Sequence, residues 1–315
     1  VAPGGYAWWY LDALSTPQPD GSAWALTLIA FIGSVFSPYY AWQRRRGGDD
    51  QALAEEHVAV NVSLYRRAPG SARYAKWWTM TERGHRDLHR DRQSLAIGPS
   101  RLQWEGGDRL RIDLDEWAAP WPQRVRGSLV VQLQAHPARQ FALDPGGLHH
   151  WQPIGPVARI DVALDAPAAR WQGEAYLDSN WGQRPLARDF SRWHWSRQRL
   201  PGDASRVLYA LEPRTGGPQA LDLQIAADGA IAVRDAPPAC PLPASGWGLH
   251  RQTRALPAAA PTVAATLESG PFYCRSLLAD AQGGAPWMHE SLDLGRFDRP
   301  LVHAMLPFRM PRRSR

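Results

Sequence analysis

Apolar and polar positions alternate with a period of two along much of this chain, most clearly where Val58, Val60, Val62 and Leu64 are separated by Ala59, Asn61, Ser63 and Tyr65. Successive side chains of a strand point to opposite faces, so this pattern predicts half-buried strands. Similar runs fall at residues 109–114, 128–133, 159–164, 206–211, 220–225 and 230–233, punctuated by turn pairs such as Asp20-Gly21 and Asp228-Gly229. No long amphipathic helix pattern is found. Many short strands with Gly and Pro turns predict an all-β sandwich or barrel.

Two Trp-rich segments look alike. Tyr6-Ala7-Trp8-Trp9-Tyr10 leads to a polar turn and the apolar stretch 24–31, while Trp193-His194-Trp195 leads to the strand-like run 206–211. An offset of about 185 residues then predicts two related β units, residues 1–184 and 185–315. Residues 43–56, with Arg44-Arg45-Arg46 and Gly47-Gly48, read as an exposed loop; 235–246 and 255–261 read as Pro/Ala-rich connections.

Composition narrows the function. The 315 residues are 44% hydrophobic and 21% charged, which excludes wholesale disorder. The net charge of +6 raises nucleic acid as a partner. Yet Lys76 is the sole lysine among 36 basic residues, and the arginine excess accompanies many alanines and 28 prolines. That bias reflects codon composition rather than phosphate contact, so no nucleic-acid partner is expected. Cys240 and Cys274 are too few and too far apart for a disulfide scaffold or a CxxC pair, and are expected as free thiols. The longest apolar run, 24–36, is interrupted by Thr27, Gly33 and Ser34 and is too short to span a bilayer. Val1 is not an initiator methionine, which leaves open a targeting segment upstream.

The common phosphate-cradling, nucleophile-elbow and zincin motifs are absent, so neither an organic cofactor nor a metal is expected. His85 and His89 read as part of a solvated basic stretch rather than as metal ligands. The adjacent His149 and His150 cannot both point at one ion from a regular strand.

Sixteen tryptophans stand against seven phenylalanines, an excess that suits either packed cores or a long apolar cavity with polar tips. Two clusters combine rings with ionisable groups: Leu148-His149-His150-Trp151, and the segment from Ala175 to Gly182. In the second, a strand would send Tyr176 and Asp178 to one face. A carboxyl desolvated beside aromatic rings holds its proton and can act as an acid. Asp-Ser-Asn is equally turn chemistry, with Asp178 as a cap.

At these residues the chain resembles the carotenoid 1,2-hydratases (hydroxyneurosporene synthases) of purple photosynthetic bacteria. The resemblance runs over nearly the whole sequence and is anchored by Gly5-Tyr6-Ala7-Trp8-Trp9-Tyr10, by 148–153 and 176–182, and by His289-Glu290-Ser291-Leu292 with Pro307-Phe308-Arg309-Met310. It implies two lipocalin-like (calycin) β-barrel units in tandem. It also implies cofactor-free hydration of the terminal C1–C2 double bond of an acyclic carotenoid such as neurosporene or lycopene, giving a tertiary alcohol.

Under that resemblance Asp178 is the candidate acid that protonates C2. Trp151 and Tyr176 are the candidate rings beside the C1 cation, and His149 is the candidate base that takes a proton from water or resets Asp178. A forty-carbon polyene is roughly 30 Å long, about a bilayer core, whereas an eight-stranded barrel holds only a small ligand. The cavity must therefore run through or between the units, or leave one end of the substrate outside. The expected setting is cytoplasmic, peripherally bound to the photosynthetic or inner membrane, with Arg44-Arg45-Arg46 and Arg312-Arg313 toward anionic lipid. The rival readings are a non-catalytic carotenoid or lipid carrier, which has no use for a buried acid, and a polyene cyclase or isomerase.

Overall fold

Every alternating run falls on a strand in the structure, the last of them from Ile231 rather than Ala230; the structure is a computed structural model that describes residues 1–281 and 284–313. The first unit spans Val1–Pro185 and is joined by the tail from Ala304 onward; the second spans Leu186–His303. Both are built from antiparallel sheet.

The strands of the first unit are β1 (Tyr6–Ser15), β2 (Ala23–Ile32), β3 (Val58–Arg67), β4 (Tyr74–Arg83), β5 (Leu88–Arg90), β6 (Ser94–Ile97), β7 (Ser100–Trp104), β8 (Arg109–Trp117), β9 (Arg124–Leu133), β10 (Phe141–Ala142), β11 (His149–Ala166) and β12 (Ala168–Gly182). They form one sheet in the order β4-β3-β2-β1-β12-β11-β9-β8-β7-β6-β5, with β10 beside β11. The sheet curls until β4 lies against β8, where Arg83 Nη2 donates to buried Glu116 at 2.8 Å. One face fills the barrel: Leu11 and Ala13 of β1, Val58, Val60, Val62 and Leu64 of β3, and Ala175 and Leu177 of β12 share an apolar core. Burial of each of the valine and leucine side chains contributes about 1.5–3 kcal/mol. The opposite face of β1 and β12 carries Tyr6, Tyr10, Asp12, Tyr176, Asp178 and Asn180, and these are buried too.

Two expectations are corrected. Part of the expected loop 43–56 is helix, because α1 runs over Pro38–Gly47. Ser37 caps it by accepting from Tyr40 N, and Pro38 supplies the fixed φ suited to the first turn. The connection 235–246 contains a strand, β17, described below. Further, the tail from Ala304 belongs with the first unit rather than closing the second. The cause is local: Glu82 N donates to Pro311 O, Arg313 N to Glu82 O, and Arg312 Nη1 to the buried Glu82 carboxylate at 2.8 Å.

The second unit holds β13 (Phe190–Leu200), β14 (Ala204–Pro213), β15 (Gln219–Ile225), β16 (Ile231–Arg234), β17 (Ala239–Leu242), β18 (Arg251–Arg254), β19 (Thr262–Ser269), β20 (Tyr273–Ala279) and β21 (Trp287–Asp293). Its main sheet runs β16-β15-β14-β13-β21-β20-β19, and the ribbon β17-β18 packs onto it through β18. As β1 pairs with β12, so β13 pairs with β21: each sheet joins an early strand to a late one. One face of this sheet is polar. His194 Nδ1 is 2.9 Å from Ser291 Oγ, which lies 3.1 Å from His289 Nε2, and His289 Nδ1 is 3.0 Å from Ser196 Oγ. Burial, then the charges of His250 and Arg192, pushes the His194 pKa down to about 3; burial likewise holds His289 well below the usual histidine value. Both imidazoles are therefore neutral. Both cysteines are free, Cys274 buried and Cys240 half-buried.

Candidate active site

Three adjacent strands build the site. Asp178 on β12 lies opposite Tyr10 of β1 on one side and Pro153 of β11 on the other. Two register shifts in β11, between Pro153 and Ala158, bulge the strand beside this point, a device that re-aims side chains near functional sites. Strand continues through Asp178 to Gly182, so the turn-capping reading of Asp178 is overturned.

Asp178 is 2% exposed, and its Oδ2 accepts two hydrogen bonds: from Trp151 Nε1 at 2.8 Å and from the Tyr176 hydroxyl at 2.8 Å. An indole nitrogen only donates, so Oδ2 is fixed as an acceptor. A neutral carboxyl held this way carries its proton on Oδ1. Tyr10 packs edge-on to Tyr176 at 6.4 Å, and Phe141 of β10, opposite Trp151, packs on that indole at 5.4 Å.

His149 and His150 point to opposite faces. His149 is fully buried on the side of Trp151, while His150 stacks on Trp181 at 5.4 Å. Tyr6 OH lies 2.9 Å from His149 Nδ1, and Trp8 stacks on Tyr6 at 5.0 Å. Gly182 makes room for this pair: a Cβ there would lie 2.5 Å from Tyr6 Cε1 and 2.7 Å from His149 Nδ1. His149 stands four residues from Pro153, hence about 13 Å along the strand from the level of Asp178. The structure thus joins Asp178, Trp151 and Tyr176 in one hydrogen-bonded group and places His149 on the same face of the sheet, against Tyr6.

Sequence reasoning missed Tyr6, Tyr10 and Phe141 as members of the site. For the two tyrosines the alternation of β1 carries the signal, since it puts them on one face; for Phe141 no local signal exists, because its place comes from pairing with β11.

The cluster is not in the barrel lumen. An open cleft of about 460 Å³ in the first unit is lined by Trp9, Ile154 and Leu177, the inward-facing neighbours of Trp8, Pro153 and Asp178. It lies on the other side of the sheet from the carboxyl. Among the described residues no group of three or more His, Cys, Asp or Glu side chains is arranged to hold a metal ion.

Two solved structures share the fold at low identity: an AttH-like protein of Nitrosomonas europaea (TM-score 0.57, 13% identity, 91% of this chain and 92% of that one) and kievitone hydratase of Nectria haematococca (TM-score 0.53, 9% identity, 91% and 88%). Among curated relatives, the acyclic carotenoid 1,2-hydratase of Thiocapsa roseopersicina is 47% identical, covering 99% of this chain and 74% of that one. That of Rhodobacter capsulatus is 37% identical, covering 91% and 98%. The model of the carotenoid hydratase CrtC family matches residues 28–315. A full-length likeness to named hydratases, on a tandem lipocalin-like fold, makes this chain a member of the CrtC carotenoid hydratase family.

Proposed function

We propose that the protein adds water across the C1–C2 double bond of acyclic carotenoids such as neurosporene or lycopene, without a cofactor, and that Asp178 is the proton donor. The observation that carries this reading is the buried Asp178 carboxyl with both Trp151 and Tyr176 donating to Oδ2.

An isolated alkene is a poor base, so protonation is the hard step. The π electrons of C1=C2 take the proton of Asp178 Oδ1 at C2, leaving a tertiary cation at C1 and a carboxylate on Asp178. Hydrogen bonds to a charged acceptor are worth about 1.5–3 kcal/mol, so the Trp151 and Tyr176 donors stabilise the carboxylate as it forms. That gain is realised in the transition state more than in the ground state. The rings of Trp151, Tyr176 and Tyr10 offer π faces to the cation, worth about 1–2 kcal/mol each when desolvated. Water then bonds to C1 and loses a proton, which returns to Asp178 through solvent or by way of His149, so that the acid is restored. The sum is alkene plus water to alcohol, with no net redox change. As the polyene dissolves in lipid, the enzyme works as a peripheral protein at a membrane surface.

The test is incubation of the purified protein with lycopene micelles in deuterated water. A product with deuterium at C2 and hydroxyl at C1 is expected. A bound but unchanged polyene would support a carrier instead, and a rearranged product of unchanged composition a cyclase or isomerase.

A further inference from the structure

The hairpin between β8 and β9 ends in the loop Ala118-Ala119-Pro120-Trp121-Pro122-Gln123, closed by Ala118 N donating to Gln123 O and Gln123 N to Trp121 O. At its tip Trp121 is 79% exposed, far more than any other tryptophan among the described residues. Prolines on both sides fix φ at those positions and restrict the loop. Trp117, at the end of β8, is 39% exposed and lies under the Arg124 guanidinium at 5.3 Å. It also lines an open cleft of about 530 Å³ together with Arg313.

The charge beside these rings has one sign in excess. Asp115 is matched by Arg124, whose Nε and Nη2 donate to its two oxygens at 2.7 Å and hold the carboxyl below its usual pKa. Arg126 and Arg313 remain exposed and add net positive charge. Of the other arginines that the sequence offered for this purpose, Arg312 is engaged with Glu82 and Arg44 packs over the Tyr40 ring.

We propose that this hairpin tip docks the protein on a lipid bilayer, with Trp121 inserted at the headgroup level and Arg126 and Arg313 facing anionic lipid headgroups. An amphipathic indole favours that boundary, and arginine is attracted to the negative surface there. A held, exposed ring needs no rearrangement to insert. The inference rests on the reading of a lipid-dissolved substrate, and it gives that substrate a place of collection.

The experiment is flotation of the full chain with phosphatidylcholine vesicles, with and without phosphatidylglycerol, alongside turnover of lycopene in detergent micelles. Wild type is expected to float with both vesicles, more strongly with the anionic ones. Trp121→Ser should weaken flotation on both by about tenfold or more, from the loss of buried ring area, with micellar turnover unchanged. Arg126→Gln with Arg313→Gln should remove only the anionic preference. Equal flotation of Trp121→Ser and wild type overturns the proposal. So does absence of vesicle binding, with self-association that Trp121→Ser abolishes, since the tip would then be a protein contact. Failure of wild type to hydrate micellar lycopene would count against the functional reading alone, leaving flotation to judge the docking surface.

Discussion

The indole N–H of Trp151 donates to Oδ2 of Asp178 at 2.8 Å across the paired strands β11 and β12. This link and the Tyr176 hydroxyl give the carboxyl a fixed orientation inside a buried aromatic face.

Removing either donor while keeping the ring separates its two uses. Trp151→Phe or Tyr176→Phe deletes one hydrogen bond of about 1.5–3 kcal/mol to the developing carboxylate. Each is expected to lower kcat by about 10- to 100-fold with little change in KM. A fall in binding with unchanged kcat would mean that the rings only shape the pocket.

Gly182 is expected to resist substitution. Its Cβ would overlap Tyr6 and His149, so Gly182→Ala should cost about 1–3 kcal/mol. Thermal unfolding followed by circular dichroism should show a lower midpoint, and an unchanged midpoint would mean that the Tyr6–His149 pair is not held rigidly.

Much of this architecture was legible in the sequence, and the reason is period two. The alternation at Val58–Leu64 marks a strand whatever its partners are, and the spacing of Tyr176 and Asp178 sets them on one face. What alternation cannot say is which face meets the core. Leu177 turns into the barrel while Asp178 turns away, and that choice depends on how the whole sheet curls. The pairing of Tyr6 with His149 joins residues 143 positions apart, a register no local pattern encodes. The Ser37-Pro38 helix start was a readable local signal, masked by the arginines and glycines that follow it.

Acid should weaken the second unit. Folded His194 titrates at about 3 against an ordinary 6.5, so below pH 6.5 the unfolded chain takes up a proton that the folded chain does not. Stability is therefore full above pH 6.5 and falls toward pH 3, with a slope of up to ~1.4 kcal/mol per pH unit for this histidine. His289, depressed in the same direction, adds to the fall. Urea titrations across this range should show the slope, and His194→Gln should flatten it; an unchanged slope in the variant would place the acid sensitivity elsewhere.

Turnover should survive exhaustive dialysis against a strong chelator, because proton transfer from a side chain carries the reaction. Loss of activity that added zinc or magnesium restores would contradict a metal-free mechanism.

The most direct test of the account is hydration of lycopene by Asp178→Asn, with polyene binding followed by the absorption shift of the bound pigment. The amide keeps the size of the carboxyl but has no acidic proton to give an alkene. Retained binding with hydration reduced by at least about 10²-fold, the lower end for a positioned general acid, is the expected result. Near-normal hydration by Asp178→Asn would contradict it and move the proton donor elsewhere, with His149 the first residue to examine.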